Sequence, residues 1–158
     1  MCGIFGTICV SGCKHKETID KVKISHKKIK HRGPDWDGEF ENEKVFLAHH
    51  RLSIIDPLGG SQPLVWTNKE TGKSMVLCVN GEIYNYKYLK LELDKDMRIL
   101  GKECFKYHTD SDCEVVLGLY QSWLLNGCKE SIVSLLNKLD GMFSFILYDE
   151  ENEKVLVA

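Results

Sequence analysis

The second residue of the chain is a cysteine whose position suits nucleophilic chemistry. Small residues after an initiator methionine favour removal of that methionine, which would give Cys2 a free α-amino group. An α-amino group has a pKa of about 7.7–8, so near neutral pH it can accept the thiol proton. Cys2 is therefore a candidate nucleophile with its own base, as in N-terminal threonine hydrolases. On its own, a cysteine at this position is better explained as an accident of start-site composition.

Asn80 and Gly81 offer a second piece of chemistry, directly after an apolar run at residues 75–79. Acyl transfer needs hydrogen-bond donors aimed at a developing oxyanion, and an Asn amide next to a glycine N–H is a suitable pair. Asn-Gly is also a strong signal for a hairpin turn, and the dipeptide alone leaves that alternative open.

The remaining cysteines have only weak metal-ligand spacing. Cys9, Cys13 and His15 are close in sequence, as are Cys104 and His108, but neither set forms matched zinc half-sites. We expect no metal site and interpret these cysteines as ordinary thiols.

Composition restricts the class of protein. The chain has 158 residues, is 43% hydrophobic and 28% charged, and carries a formal charge of −2, which fits one globular domain. Because the net charge is small, it predicts no affinity for nucleic acid or anionic membranes, and the lysines of residues 21–30 are interpreted as a solvated helix face. With no signal peptide or spanning segment, we expect a cytoplasmic protein with reduced thiols.

Hydrophobic periodicity predicts the elements that position these residues. We expect strands at 3–10, 45–51, 75–79, 142–148 and 154–157, and helices at 18–30, 86–95, 112–125 and 131–139. Asn80-Gly81 is expected to end its strand, residues 56–60 to form a loop, and Ser111 with Glu114 to form a capping box. Strands 75–79 and 142–148 are apolar on both faces, which is typical of central strands.

Two neighbouring histidines fall inside the strand predicted at 45–51. Because successive side chains of a strand face opposite sides, His49 and His50 are expected to point in opposite directions. We interpret both as packing or hydrogen-bonding residues, since the Cys2 α-amino group supplies the base.

A series of ordered motifs runs along nearly the whole chain. They are MCGIFG at 1–6, HRGPD at 31–35, HHRLSIID at 49–56, GSQP at 60–63, NGEIYN at 80–85, SDCEV at 111–115 and DGMF at 140–143. Together they resemble the class II glutamine amidotransferase domain of the N-terminal nucleophile hydrolases, in the form carried by glutamine-hydrolysing asparagine synthetases. The resemblance implies an α+β fold, a four-layer α/β/β/α sandwich with two mainly antiparallel sheets. Because the last strand stops without a closing turn, we expect residues 1–158 to be this domain truncated at its C-terminal end, with the synthetase domain absent.

The resemblance also implies roles for individual residues. Cys2 is the implied nucleophile, with Asn80 and Gly81 as the oxyanion hole. Arg51 corresponds to the residue that binds the α-carboxylate of glutamine, although a surface salt bridge is its alternative. Asp112 corresponds to the partner of the substrate α-ammonium, although a helix cap is its alternative. Further implied binding residues are Leu52, Ser53, Ile54, Ile55 and Glu82, while Arg32 and Asp35 are expected to fix the loop beside the pocket.

The implied reaction is hydrolysis of glutamine to glutamate and ammonia through a Cys2 glutamyl thioester. This half-reaction needs no cofactor, and the resemblance implies ATP and Mg²⁺ only for the absent synthetase domain, which would use the ammonia to make asparagine from aspartate. Glutamine and that domain are the expected partners. The alternative is an inactive fragment that acts at most as a glutamine-binding or interaction module.

Overall fold

The structure is a computed structural model that describes residues 2–9, 15–52 and 61–158, without the side chains of residues 15–18. The chain divides into two compact units, and each is described by itself. The first contains residues 1–80 and 144–158, and the second contains residues 81–143.

A three-stranded antiparallel sheet opens the first unit. Its strands are β1 (Gly3–Ile8), β2 (Trp36–Glu41) and β3 (Val45–Arg51), in the order β1-β3-β2. The predicted strand at 45–51 is confirmed, and β1 ends two residues before the predicted limit. Strand β2 was not predicted, because four of its six residues are charged or glycine and it carries little hydrophobic signal.

The second sheet has four strands in the order β4-β5-β6-β7. They are β4 (Leu64–Thr67), β5 (Ser74–Ile83), β6 (Gly141–Asp149) and β7 (Lys154–Val157). The β4–β5 and β6–β7 pairs are antiparallel. An α+β fold with two antiparallel sheets is thus confirmed, and β7 has its predicted bounds, while the short strand β4 was missed.

Two layers of side chains flank β3 within the first unit. On one face, Val45 and Leu47 pack against Val76, Cys78 and Tyr148 of the second sheet, and we call this the inner layer. On the other face, residues of β3 pack against helix α1 (His15–His26), and we call this the outer layer, formed by Ile19, Val22, Phe46 and Ala48. Because successive side chains of a strand point to opposite faces, the fully buried β3 contributes side chains to both layers.

The predicted end of the central strand at Asn80-Gly81 is wrong, because β5 continues to Ile83. Gly81 has a φ of 146°, and a Cβ atom there would lie 2.1 Å from the carbonyl oxygen of Met142. Only glycine fits this conformation and this close approach. The Asn-Gly pair therefore lies inside a strand, which excludes the hairpin-turn alternative.

Helices dominate the second unit. They are α2 (Tyr86–Ile99), α3 (Val115–Leu125) and α4 (Ile132–Leu136). Helix α2 exceeds its predicted length by four residues, and α4 is shorter than predicted at both ends. The helix predicted at 112–125 begins as a 3₁₀ turn over Asp112–Glu114, and the end of the first predicted helix is likewise a 3₁₀ segment, Lys27–Arg32.

Burial agrees with the predicted central strands except at one end of β6. Residues 75–79 are buried throughout, as are Phe145, Leu147 and Tyr148, whereas Met142 is 72% exposed. The apolar character of residue 142 therefore does not reflect a place in the core. Within the described ranges, every helix is too short or too polar to cross a lipid bilayer.

Candidate active site

Cys2 lies immediately before β1, next to the end of β3. Strand pairing sets Gly3 opposite His50, so the same antiparallel register sets Cys2 opposite Arg51. The backbone N–H of Leu52 donates to the Cys2 sulfur at 3.3 Å, and the thiol lies 3.7 Å from the Leu52 carbonyl oxygen. The half-buried thiol is thus held at the strand end and forms no disulfide.

The HRGPD segment holds both strand ends. Arg32 donates from Nε to the carbonyl oxygen of Cys2 at 3.1 Å, and the backbone N–H of Asp35 donates to the carbonyl oxygen of Arg51 at 3.1 Å. Gly33 lies against the peptide that joins His50 to Arg51, where a Cβ atom would come within 2.1 Å of the His50 oxygen. These contacts agree with the expectation that Arg32 and Asp35 fix this border.

Arg51 shares a face of the first sheet with Cys2. Directly paired residues of antiparallel strands project to the same side, and alternation gives His49 that side too, which is the side of the inner layer. Arg51 is only 7% exposed, so its side chain is buried and does not lie at the surface. A buried guanidinium beside a thiol is suited to binding a carboxylate through two parallel hydrogen bonds.

The predicted glutamine-binding segment is described only at its first residue. Leu52 is half-buried and contacts the Cys2 sulfur through its backbone. Ser53, Ile54 and Ile55 lie outside the described residues, as does the loop predicted at 56–60.

The backbone that leads into Asn80 is held by two side chains of the first unit. The Gln62 amide accepts from the N–H of Val79 at 2.6 Å and donates to the carbonyl oxygen of Val79 at 3.2 Å. His49 donates from Nε2 to the same oxygen at 2.9 Å. Val79 is thereby tied on both sides, and half-buried Asn80 follows it directly.

The lowered pKa of His49 indicates that its imidazole ring is neutral at neutral pH. Burial lowers the pKa of His49 to about 4, and the nearby Arg51 cation acts in the same direction, while the hydrogen bond to Val79 opposes the shift. At neutral pH the ring therefore carries one proton. The carbonyl of Val79 can only accept, which assigns that proton to Nε2.

His50 points into the outer layer, so the prediction that the two histidines face opposite sides is confirmed. Its Nε2 lies 3.0 Å from the His26 carbonyl oxygen and 3.1 Å from His26 Nδ1. His26 Nε2 lies 2.9 Å from a carboxylate oxygen of Glu39. Burial lowers the pKa of His26, and the Glu39 carboxylate opposes that shift. Hydrogen bonding, the use predicted for both histidines, is what the structure shows.

The second unit contains Gly81, Glu82 and Asp112. The buried Asp112 carboxylate accepts from the backbone N–H of Ile83 at 2.6 Å and so fastens the start of its helix to the end of β5. Asp112 does not cap its own helix, because the capping acceptor is the hydroxyl of Ser111. The capping alternative is therefore wrong. The carboxylate is instead bonded to Ile83, which lies two residues after Gly81 on β5. Glu82 is exposed.

The predicted capping box is wrong in its second half. Ser111 accepts from the N–H of Cys113 at 3.3 Å, as an N-cap does. Glu114, however, accepts at 2.8 Å from the backbone N–H groups of His108 and Thr109, not from that of Ser111. Both oxygens of this buried carboxylate thus fix the loop before Asp112.

Metal-ligand geometry is absent from the part of the chain that the structure describes, where no three His, Cys, Asp or Glu side chains form a cluster able to hold an ion. Cys13 and the His15 side chain lie outside the described residues. Cys104 donates to the Asp94 carbonyl oxygen at 3.6 Å. Burial raises the pKa of the Cys78 thiol to about 12, so Cys78 is an inert core residue at neutral pH.

Sequence reasoning assigned no role to Gln62 and gave His49 only a general packing or hydrogen-bonding role, without a partner. The GSQP motif marked the position of Gln62 but not its partner. A contact with Val79, 17 residues away in sequence, depends on strand register, which hydrophobic periodicity does not specify for a four-residue strand such as β4.

Comparison with known proteins identifies the family. A family model described as glutamine amidotransferase domain matches residues 1–158. Among curated proteins, the chain is 38% identical over 160 residues to asparagine synthetase [glutamine-hydrolyzing] 1 of Arabidopsis thaliana, and 40% identical over 160 residues to asparagine synthetase [glutamine-hydrolyzing] of Asparagus officinalis. It is also 38% identical over 164 residues to asparagine synthetase B [glutamine-hydrolyzing] of Escherichia coli (strain K12).

These alignments cover all of this chain but only part of each relative. Each alignment covers 100% of this chain but 23%, 23% and 25%, respectively, of the relative, so the chain spans about a quarter of their length. A solved structure of glutamine phosphoribosylpyrophosphate amidotransferase from B. subtilis, complexed with ADP and GMP, is 20% identical, with a TM-score of 0.45 over 66% of this chain and 21% of that one. Since the family model covers every residue, the chain belongs to the glutamine amidotransferase domain family.

Proposed function

We propose that this domain hydrolyses glutamine to glutamate and ammonia through a thioester on Cys2. The carrying observation is the placement of a half-buried thiol at the end of β3, held by Leu52 and opposite buried Arg51. A nucleophile beside a fixed cation is what attack on a substrate with a free carboxylate requires.

The first chemical step uses the α-amino group of Cys2 after removal of Met1. That amine accepts the thiol proton, and the sulfur attacks the γ-carboxamide carbon of glutamine. The amide of Asn80 and the N–H of Gly81 donate to the resulting oxyanion. The carbon–nitrogen bond then breaks, and the leaving nitrogen takes the proton from the α-amine and departs as ammonia.

The second step releases glutamate. A water molecule attacks the thioester carbon and its proton passes to the Cys2 α-amine. The carbon–sulfur bond then breaks, and the leaving sulfur takes that proton to regenerate the thiol and the free amine. The same oxyanion donors stabilise this second tetrahedral intermediate. Both steps proceed without a metal or another cofactor.

Substrate recognition relies on charge at the two ends of glutamine. Arg51 binds the α-carboxylate, and Asp112 binds the α-ammonium with Glu82 orienting that end. The segment Leu52, Ser53, Ile54 and Ile55 borders the side chain. One Asp112 oxygen already accepts from Ile83 N–H at 2.6 Å, which fixes the carboxylate before substrate arrives.

In the whole protein, we propose that the ammonia serves ATP-dependent synthesis of asparagine from aspartate, with Mg²⁺ and ATP bound outside these residues. Support comes from the relatives named above, which are glutamine-hydrolysing asparagine synthetases about four times longer than this chain.

The test is ammonia release from glutamine by purified protein whose N-terminal residue is shown by mass spectrometry to be Cys2. We expect equal amounts of glutamate and ammonia. A matched sample that retains Met1 should be inactive, because its α-amine no longer belongs to the nucleophile. Folded protein that begins with Cys2, binds glutamine and releases no ammonia would instead be a glutamine-binding module, and the proposal would be wrong.

A further inference from the structure

The backbone on which Asn80 depends is fixed by contacts that reach across both sheets of the first unit. Val79 precedes Asn80, and both of its backbone polar groups are bound by Gln62. The oxyanion-hole role of Asn80 rests on the function proposed above. An oxyanion donor is effective only when it is positioned before the reaction, because reorganisation in the transition state costs free energy.

The Gln62 amide replaces a missing part of the β4–β5 ladder. The register of Leu64 opposite Leu77 places residue 62 opposite Val79, and the intervening Pro63 has no N–H to donate. The side chain amide makes both ladder bonds with Val79 instead, at 2.6 and 3.2 Å. Gln62 is 8% exposed, so loss of these bonds would leave buried backbone groups without partners.

His49 adds a bond from the other sheet. It belongs to β3 and donates to the Val79 carbonyl oxygen at 2.9 Å, so this oxygen has two donors. His49 is fully buried and carries the single Nε2 proton that this bond needs. Strand β3 therefore fixes Asn80 through His49 while its last residue, Arg51, lies opposite Cys2.

A glycine on β2 makes room for this arrangement. Gly38 lies opposite His49 in the first sheet, and a Cβ atom at residue 38 would come within 2.2 Å of the Gln62 carbonyl oxygen. The Gln62 backbone thus lies directly on the first sheet. Gly38 therefore lies against the Gln62 backbone, while the side chains of Gln62 and His49 both bond to Val79.

We propose that Gln62 and His49 are positioning residues for the oxyanion hole, acting through the Val79 backbone to hold Asn80 in place for catalysis. Neither residue donates to the reacting oxygen. Their effect on the rate passes through the Asn80-Gly81 backbone, so most of it depends on the presence of the Asn80 amide. This dependence separates a positioning role from general support of the fold.

The test compares Gln62→Met in the original protein and in the Asn80→Ala variant. Methionine fills a similar volume and removes both bonds to Val79. In the original protein we expect kcat for glutamine hydrolysis to fall about tenfold or more, with little change in KM. In the Asn80→Ala background, the same substitution should have a clearly smaller effect on kcat, since the Asn80 amide is gone and only the N–H of Gly81 remains to be displaced.

The matched control is Thr67→Val. Thr67 also makes a side-chain bond across the β4–β5 pair, to Ser74 at 3.0 Å, but at the end of the sheet pair away from Asn80. This substitution should leave kcat unchanged in both backgrounds. Equal losses in the two backgrounds for Gln62→Met, or an unchanged kcat in the original protein, would overturn the positioning role.

Histidine variants keep the proposal testable if Gln62→Met does not fold. Glutamine at residue 49 can present an N–H near the position of His49 Nε2, whereas phenylalanine retains the ring without a donor. We expect His49→Gln to retain more kcat than His49→Phe at similar KM. The reverse order would contradict the proposal. Absence of ammonia release by the original protein would instead refute the proposed function, so the two failures are distinguishable.

Discussion

The inner and outer layers of β3 are both formed by buried side chains, but their polar residues bind different parts of the protein. His49, in the inner layer, binds the backbone of β5 beside Asn80. Its neighbour His50, in the outer layer, binds His26 of α1, which lies against Glu39. One strand therefore positions the proposed chemistry on one face and anchors a helix on the other. The difference predicts that inner-layer changes alter turnover as well as stability, whereas outer-layer changes alter stability alone.

The largest expected effect is on stability and comes from the outer layer. Phe46 is fully buried between β3 and α1, so Phe46→Ala removes a large apolar contact and leaves a cavity. We expect the free energy of unfolding to fall by about 3–5 kcal/mol, measured by urea denaturation. Turnover per folded molecule should stay unchanged, and a kcat loss at full folding would erase the distinction between the layers.

The next effect is on turnover and comes from the strand that the inner layer holds. Asn80→Ala removes one oxyanion donor, and we expect a loss of about 10²–10³-fold in kcat with a smaller change in KM. Asn68→Ala is the matched control, since Asn68 is a half-buried asparagine of the first unit that bonds to Glu151. If kcat is the same in both variants, Asn80 does not belong to the oxyanion hole.

Acid should weaken the fold through the buried His49. An unfolded histidine has a pKa of about 6.5, whereas the pKa of His49 in the fold is about 4. Between about pH 4 and 6.5 the unfolded chain binds more protons than the folded chain does. The contribution of His49 to stability is therefore complete above about pH 6.5 and falls as the pH drops toward 4. We expect this loss to be about 3 kcal/mol, with the lowered pKa of His26 adding a loss of the same sign.

Urea denaturation at several pH values measures that loss. His49→Gln removes the titrating ring, so its free energy of unfolding should depend less on pH between 6.5 and 4. An identical pH dependence in the two proteins would show that His49 is not the group that resists protonation.

The smallest effect concerns an ion pair at the rim of the outer layer. Lys23 lies 2.7 Å from Glu41, and both side chains are more than a third exposed. Exposed pairs are screened by water and salt and lose side-chain entropy when they form. Lys23→Ala should therefore change neither kcat nor the urea midpoint measurably. A clear loss of stability would show that this exposed ion pair contributes to the stability of the outer layer.

The sequence predicted the strands and helices whose hydrophobic pattern is strong. The apolar runs at residues 45–48 of β3 and 75–79 of β5 were found because burial on both faces gives a continuous apolar signal. Strands β2 and β4 were missed, since half of the residues of β2 are charged and β4 has only four residues. Their places depend on pairing with distant strands, which local sequence does not encode.

The candidate site shows the same division between local and distant information. Motifs pointed to Cys2, Arg51 and Asp112 because side-chain type already limits their chemistry. The partners that hold the site depend on strand register, as for the bond from Ile83 to Asp112 and that from Val79 to Gln62. Asn80-Gly81 was misread as a strand end because local turn propensity was overridden by sheet pairing.

The most direct test of the account is the rate of ammonia release from glutamine by Cys2→Ala. Cys128→Ala is the matched control, because Cys128 is an exposed thiol of the second unit. We predict that Cys2→Ala stays folded, binds glutamine and releases no ammonia, while Cys128→Ala retains the rate of the original protein. Ammonia release by Cys2→Ala at the original rate would contradict the central claim that Cys2 is the nucleophile.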